Sequence, residues 1–110
     1  MSHSFHVYGA ALGLVSALRS VLGEVAKSDR ALADQLRRAA SSVVLNIAEG
    51  NRRTGKDRVH FFRIAAGSAA EVRAGIDVAR AWGTIGAASA SEAELDRVLA
   101  MLWRLTHWRE

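Results

Sequence analysis

The residues of this chain that could do chemistry at a metal are its four histidines and eleven carboxylate side chains. His3 and His6 are three residues apart, as are Asp57 and His60, and this spacing brings two side chains to one side of a helix. Such pairs are also common on ordinary helix surfaces, because a closed metal site needs about four ligands. No glutamate is followed three residues later by a histidine, which excludes the Glu-x-x-His pairs of di-iron bundles. We therefore expect neither a metal nor a cofactor.

Nucleophilic catalysis has no better support in the sequence. The chain has no cysteine, so it cannot form a thiolate nucleophile, a disulfide or a thiolate-bound zinc or iron–sulfur site. The His-Glu-x-x-His motif and the glycine-rich phosphate loop are also absent, and no Ser–His–acid set is indicated. We therefore predict a protein that acts by binding and is not an enzyme.

The chemistry that the sequence does favour is the binding of phosphate by arginine. Seven basic residues and only two acidic ones lie between positions 37 and 63, a local charge of +5 in a chain whose total is +4. The seven are Arg37, Arg38, Arg52, Arg53, Lys56, Arg58 and Arg63. Arginine can bind two phosphate oxygens at once, so these positions predict a nucleic-acid surface that contacts the backbone and weakens as salt rises. The alternative is that they only keep two helix ends soluble.

The segments that must position these residues have the apolar spacing of helices. Apolar residues recur at spacings of three and four in four segments, and no segment shows the alternation of a strand. We predict an all-α fold, an antiparallel up-down-up-down four-helix bundle that forms one domain over residues 1–110. The predicted helices span about residues 4–26, 29–49, 55–82 and 92–108. The absence of proline agrees with uninterrupted helices.

Local signals predict where these helices begin and end. Ser28 or Asp29 can accept from the first amides of the second helix, and Gly50 is predicted to end that helix in a left-handed conformation. Thr54–Asp57 and Ser91–Glu94 have the pattern of capping boxes that open the third and fourth helices.

The first helix is apolar around an unusually wide arc. Val7, Ala11, Leu14, Leu18, Val21 and Val25 form one stripe, and Tyr8, Leu12, Val15 and Leu22 lie beside it. The arc is roughly 220°, about twice what a surface helix needs. Either this helix lies deep within its own bundle, or its back meets another subunit. The longest apolar run, residues 7–18, is too short to span a bilayer, and the first residues lack the charge of a secretory signal. We expect a cytoplasmic protein.

Polar residues interrupt the apolar faces of the second and third helices. Asn46 borders one apolar stripe, with Gln35, Ser42 and Glu49 on the adjoining edge, while Ser68 lies inside the other and Glu71 at its margin. Buried without partners, such groups would each cost a few kcal/mol. We predict that they meet across the helix pair or cap backbone groups at a subunit contact.

Three stretches of the chain resemble a known family. They are Gln-Leu-Arg-Arg-Ala-Ala (35–40), Ser-Val-Val-Leu-Asn-Ile-Ala-Glu-Gly (42–50) followed by Arg52-Arg53, and Phe-Phe-Arg-Ile-Ala-Ala-Gly-Ser-Ala-Ala-Glu (61–71). The combination of Asn-Ile-Ala-Glu-Gly with Gly-Ser-x-x-Glu is typical of the four helix bundle protein family, which is also known from proteins encoded in intervening sequences of 23S ribosomal RNA genes. The resemblance covers about residues 5–108.

The resemblance implies a homopentamer of bundles around a central pore. It also implies a relationship to the accessory variability determinant of diversity-generating retroelements, a basic pentamer that binds nucleic acid and a reverse transcriptase. Six positions match the family motif and would shape the helix pair and its subunit contacts: Asn46, Glu49, Gly50, Gly67, Ser68 and Glu71. The basic positions from Arg37 to Arg63 would supply the nucleic-acid surface.

These observations together predict a non-enzymatic, oligomeric adaptor that binds the backbone of RNA or DNA. The resemblance adds the possible role of an accessory to a reverse transcriptase. The alternative is a purely structural protein–protein adaptor whose basic end docks an acidic partner.

Overall fold

The computed structural model describes residues 3–86 and 90–107 and forms four helices. They are α1 (His3–Ala26), α2 (Arg30–Asn51), α3 (Gly55–Trp82) and α4 (Ala90–Thr106). Each bound lies within two residues of the predicted one. The described ranges contain no strand, so the all-α fold class is confirmed.

The four helices pack in a ring. Each helix packs against its neighbour in the chain, and α4 packs back against α1. The links at residues 27–29 and 52–54 are so short that consecutive helices run in opposite directions. The resulting up-down-up-down bundle measures 45 × 21 × 19 Å.

The core contains one apolar stripe from each helix. All six stripe residues of α1 are buried, and α2, α3 and α4 add residues at the same spacing around Leu36, Phe62 and Leu95. The wide arc of α1 is only partly covered by the bundle: Tyr8 and Leu12 remain 36% and 45% exposed. Part of the apolar surface of α1 is therefore left without cover by this chain.

By length and composition, α1 is also able to cross a membrane. The segment His6–Ala26 contains an 18-residue window with a mean hydropathy of 1.3. The expectation drawn from the 12-residue apolar run was too strict, because the average over a longer window tolerates single glycines and serines. A helix that packs one stripe into a bundle core passes the same test, and α1 is such a helix.

The starts of α2 and α3 are formed in different ways. The side chain of Asp29 accepts a hydrogen bond of 3.0 Å from the Leu32 amide, which confirms the predicted cap of α2. Thr54 stands at the N-cap of α3, but its side chain makes no capping bond, so the predicted capping box is wrong. The next residue, Gly55, has a φ of 58°, a conformation that glycine adopts without strain, and it turns the chain into α3.

Two further predicted helix ends are wrong. Gly50 lies inside α2, which continues to Asn51, and its φ is not positive. It is small for another reason: a Cβ on Gly50 would lie 2.6 Å from the Phe62 ring. Ser91 is buried inside α4, which begins one residue earlier, and does not precede the helix. A left-handed glycine does follow α3, where Gly83 is the C-cap.

Candidate nucleic-acid interface

Two glycines bring α2 and α3 into close contact and set their register. Gly50 faces the ring of Phe62, and Gly75 faces the side chain of Leu36, with no room for a Cβ at either position. Phe62 and Leu36 are both 1% exposed. The two helices therefore hold the link between them, residues 52–54, at a fixed place at one end of the bundle.

A small polar network joins α2 to α3 near the middle of their contact. The hydroxyls of Ser42 and Ser68 are 2.8 Å apart, and the Asn46 side-chain amide donates to the Ser42 carbonyl (2.9 Å) and hydroxyl (3.0 Å). The prediction that these polar residues meet across the helix pair is confirmed for Ser42 and Ser68, whereas Asn46 bonds to Ser42 within α2. Gln35 and Glu71 instead line a groove of about 510 Å³ beside it, together with Arg38.

Glu49, at the end of α2, is engaged with the two arginines that follow it. Its Oε2 accepts from Nη2 (2.7 Å) and Nε (3.0 Å) of Arg53, and its Oε1 is 3.8 Å from Nη1 of Arg52. The Arg53 hydrogen bond, aided by the charges of both arginines, holds the pKa of Glu49 below its ordinary value of 4.5. The two arginines of the link therefore carry a charge that one carboxylate partly neutralises. The i,i+3 and i,i+4 spacings already contained this signal.

Arg53 and Arg58 are positioned by further contacts. Nη1 of Arg53 is 3.8 Å from the Asp57 carboxylate, and its guanidinium lies 5.0 Å from the centre of the Phe61 ring. Arg58 donates to the Arg53 carbonyl (2.9 Å), and its guanidinium lies 5.5 Å from the centre of the Phe62 ring. These two arginines are therefore fixed in orientation by their own chain.

The other four basic positions carry exposed side chains: Arg37, Arg38, Lys56 and Arg63. None of them forms an ion pair or a hydrogen bond with the described residues. Lys56 and Arg63 line an open cavity of about 780 Å³ between the start of α3 and the end of α4. Arg58 lines the same cavity, with Gly55, Val59, Phe62, Leu105 and Thr106.

The seven basic residues thus form two groups and not one continuous surface. Five lie at the link and in the first turns of α3, whereas Arg37 and Arg38 lie on the body of α2. Arg38 and Arg52 are about 20 Å apart along the helix axis, at ~1.5 Å per residue. Sequence spacing alone did not predict the cavity, because Leu105 and Thr106 lie on α4, far along the sequence from the residues of α3 that line it.

The described residues show no group of three or more side chains that could hold a metal ion. His6 and His60 are exposed. The side chain of His3 lies outside the described part of the chain.

The fold and the site together place this chain among small antiparallel helical bundles. Its distinguishing features are the close, glycine-lined α2–α3 pair and the arginine-rich link. A family model described as 23S rRNA-intervening sequence protein matches residues 3–104. The chain belongs to this family, which confirms the resemblance seen in the sequence motifs.

A solved structure shares the fold. It is a crystal structure from Bacteroides thetaiotaomicron, described as a protein with unknown function from the S23 ribosomal protein family. It is 14% identical, with a TM-score of 0.83, and the match covers 92% of this chain and 98% of that one. At this identity the likeness concerns the fold alone. No curated protein matches the sequence.

Proposed function

We propose that this protein is a non-enzymatic, oligomeric adaptor that binds the backbone of RNA or DNA through its basic residues. The observation that carries the proposal is the cavity at the end of the bundle. Three of its lining side chains are cationic, namely Lys56, Arg58 and Arg63, and none of the described residues that line it is a carboxylate. Lys56 and Arg63 form no ion pair with the described residues, and such cations are what a phosphate backbone attracts.

The basic residues differ in their proposed roles. Lys56 and Arg63 contact phosphate directly, as do Arg37 and Arg38 on the body of α2. Arg52 and Arg53 share Glu49, and Arg53 also lies near Asp57, so the two arginines contribute less than their formal charge to the surface. Arg58 is held against Phe62 and Arg53, so it binds with a fixed geometry.

Binding to labelled single-stranded and duplex RNA and DNA tests the proposal. We expect binding at about 50 mM salt, with an affinity that falls steeply as the salt concentration rises. The double variant K56E/R63E is expected to lose most of this binding. The matched control, R19E/R97E, makes the same change of charge at two exposed positions outside the basic segment.

Either of two results would contradict the proposal. The first is the absence of any binding at about 50 mM salt, where contacts of this kind are strong. The second is an equal loss of binding in the control variant, which would show that only total charge matters. Copurification with an acidic protein, free of nucleic acid, would instead favour the protein–protein adaptor.

Assembly is the second part of the proposal. Ile64, Gly67, Glu71, Val78 and Trp82 follow one another at helical spacings on one side of α3, and all five are exposed in the single chain. Trp82 is 75% exposed, and a Cβ on Gly67 would meet nothing within 4 Å. Apart from Glu71, this side is apolar or small, which suits contact with another copy. The family resemblance suggests a homopentamer.

A reverse transcriptase remains the protein partner that the resemblance suggests. Of the motif positions, Gly50 and Ser68 contact the partner helix within the α2–α3 pair, Asn46 supports Ser42, and Glu49 holds Arg53, while Gly67 and Glu71 stay open for subunit contacts. A reverse transcriptase gene beside this one, followed by copurification of the two proteins, would support that role.

A further inference from the structure

We propose that the cavity between the first turns of α3 and the last turn of α4 takes one unpaired nucleotide of a bound strand. This inference rests on the proposed nucleic-acid binding and adds a preference for single strands over duplexes. The volume of about 780 Å³ lies within the range of ~300–1,000 Å³ that is typical of small-molecule sites.

The cationic side chains of the cavity lie where they can hold the phosphate of such a nucleotide. Lys56 and Arg63 are seven residues apart on α3, which places them on one side of the helix, two turns apart. Val59 lies between them on that side. A phosphate on the rim would therefore have a cation on either side and an apolar surface beneath its sugar.

The floor of the cavity suits a base. Val59, Phe62 and Leu105 are its apolar lining, and Phe62 is buried beneath it. Arg58 supplies a planar group, because its guanidinium is held over the Phe62 ring and by its bond to the Arg53 carbonyl. Unpaired bases stack on guanidinium planes that are fixed in this way.

The shape of the site distinguishes an unpaired nucleotide from a duplex. Within a duplex the bases are stacked on their neighbours, so only phosphates can reach the rim, and the floor stays empty. An unpaired strand can place both its phosphate and its base in the cavity. An acidic peptide would use the cations but not the planar, apolar floor.

The test compares a labelled 12-nucleotide RNA with the blunt duplex of the same sequence, at equal salt. The wild type is expected to prefer the single strand. R58K keeps the charge and removes the plane, and it is expected to lower this preference by about tenfold, in the range that loss of one base stack gives. V59F fills the cavity without a change of charge and is expected to act in the same direction. R97K, on the exposed side of α4, is the matched control.

Adenosine monophosphate and inorganic phosphate test the proposed base position and the proposed phosphate position separately. In amide NMR spectra, the nucleotide is expected to shift Val59 and Leu105, whereas inorganic phosphate shifts only the region of Lys56 and Arg63. Circular dichroism of R58K and V59F checks that both variants keep the fold. If one variant fails to fold, the other still decides the test.

Four results would overturn the inference. If strand and duplex bind equally, or if R58K and V59F keep the wild-type preference, the cavity does not take a base, while the proposed backbone binding stands. If the nucleotide shifts the cavity but no oligonucleotide binds, the site does not serve a strand. If no oligonucleotide binds and the nucleotide causes no shift, the proposed function fails together with the inference.

Discussion

At the scale of single residues, Glu49 determines how much of the arginine charge at the link is available. Its carboxylate takes two hydrogen bonds from Arg53 and lies near Arg52, whereas Lys56 and Arg63 have no such partner among the described residues. A high count of arginine therefore overstates the phosphate-binding capacity of this segment. Residues with the same charge differ in function because of their neighbours.

The variant E49Q tests this view of the link. Removing the carboxylate charge releases Arg52 and Arg53, so we expect tighter binding of nucleic acid. The slope of log affinity against log salt should steepen by about 0.9 for each arginine that gains a phosphate. E24Q, which removes an exposed partner of Lys27 at the far end of α1, is the control. Weaker binding by E49Q would contradict the proposed role.

The same variant has a predicted pH dependence. Because folding lowers the pKa of Glu49, its ion pairs stabilise the fold fully above the unfolded pKa and lose this effect as the pH falls through the folded pKa. The stability difference between wild type and E49Q should therefore shrink as the pH falls below about 4.5, as urea unfolding can measure. A constant difference down to strongly acidic pH would count against the pairing.

At the scale of elements, the α2–α3 pair depends on small residues at two places. Gly50 and Gly75 each face a side chain that is only 1% exposed, Phe62 and Leu36 respectively. Helix propensity favours alanine over glycine by about 1 kcal/mol, so glycine at these two positions has a cost that packing offsets. That packing is the approach of Phe62 and Leu36.

Gly50→Ala is expected to destabilise the bundle for this reason. The added Cβ would lie 2.6 and 2.8 Å from two Phe62 ring atoms and 3.3 Å from the Arg58 carbonyl oxygen. Overpacking of this kind costs about 1–3 kcal/mol, which exceeds the gain in helix propensity. Gly23→Ala, where nothing lies within 4 Å, is expected to stabilise α1 by about 0.5–1 kcal/mol. If the two variants unfolded at the same urea concentration, Phe62 would have moved to make room for the Cβ, and the prediction would be wrong.

At the scale of the whole molecule, apolar surface left by the single chain argues for assembly. Tyr8 and Leu12 on α1, and Ile64, Val78 and Trp82 on α3, stay exposed although the core is complete. The described residues form no element besides these four helices that could cover them. Another copy of the chain is the partner that we propose.

Gly67→Arg tests assembly separately from folding. Since a Cβ at Gly67 meets nothing in the single chain, the variant is expected to keep its helical circular dichroism. Light scattering should give a multiple of 11.9 kDa for the wild type and a smaller mass for the variant. Ala93→Arg, which adds the same charge on an exposed position of α4, should keep the wild-type mass. A wild type of 11.9 kDa would end the assembly proposal.

The sequence by itself determined the four helices and their buried stripes, because three-and-four spacing and the Asp29 cap are local signals that packing preserved. Only the tertiary structure decided why Gly50 is small, since a ring from the next helix occupies its place. The basic cavity also depends on the tertiary structure, because Val59 and Leu105 line it together only when α4 packs beside α3. Contacts between distant segments depend on how helices pack, and helical periodicity does not encode that arrangement.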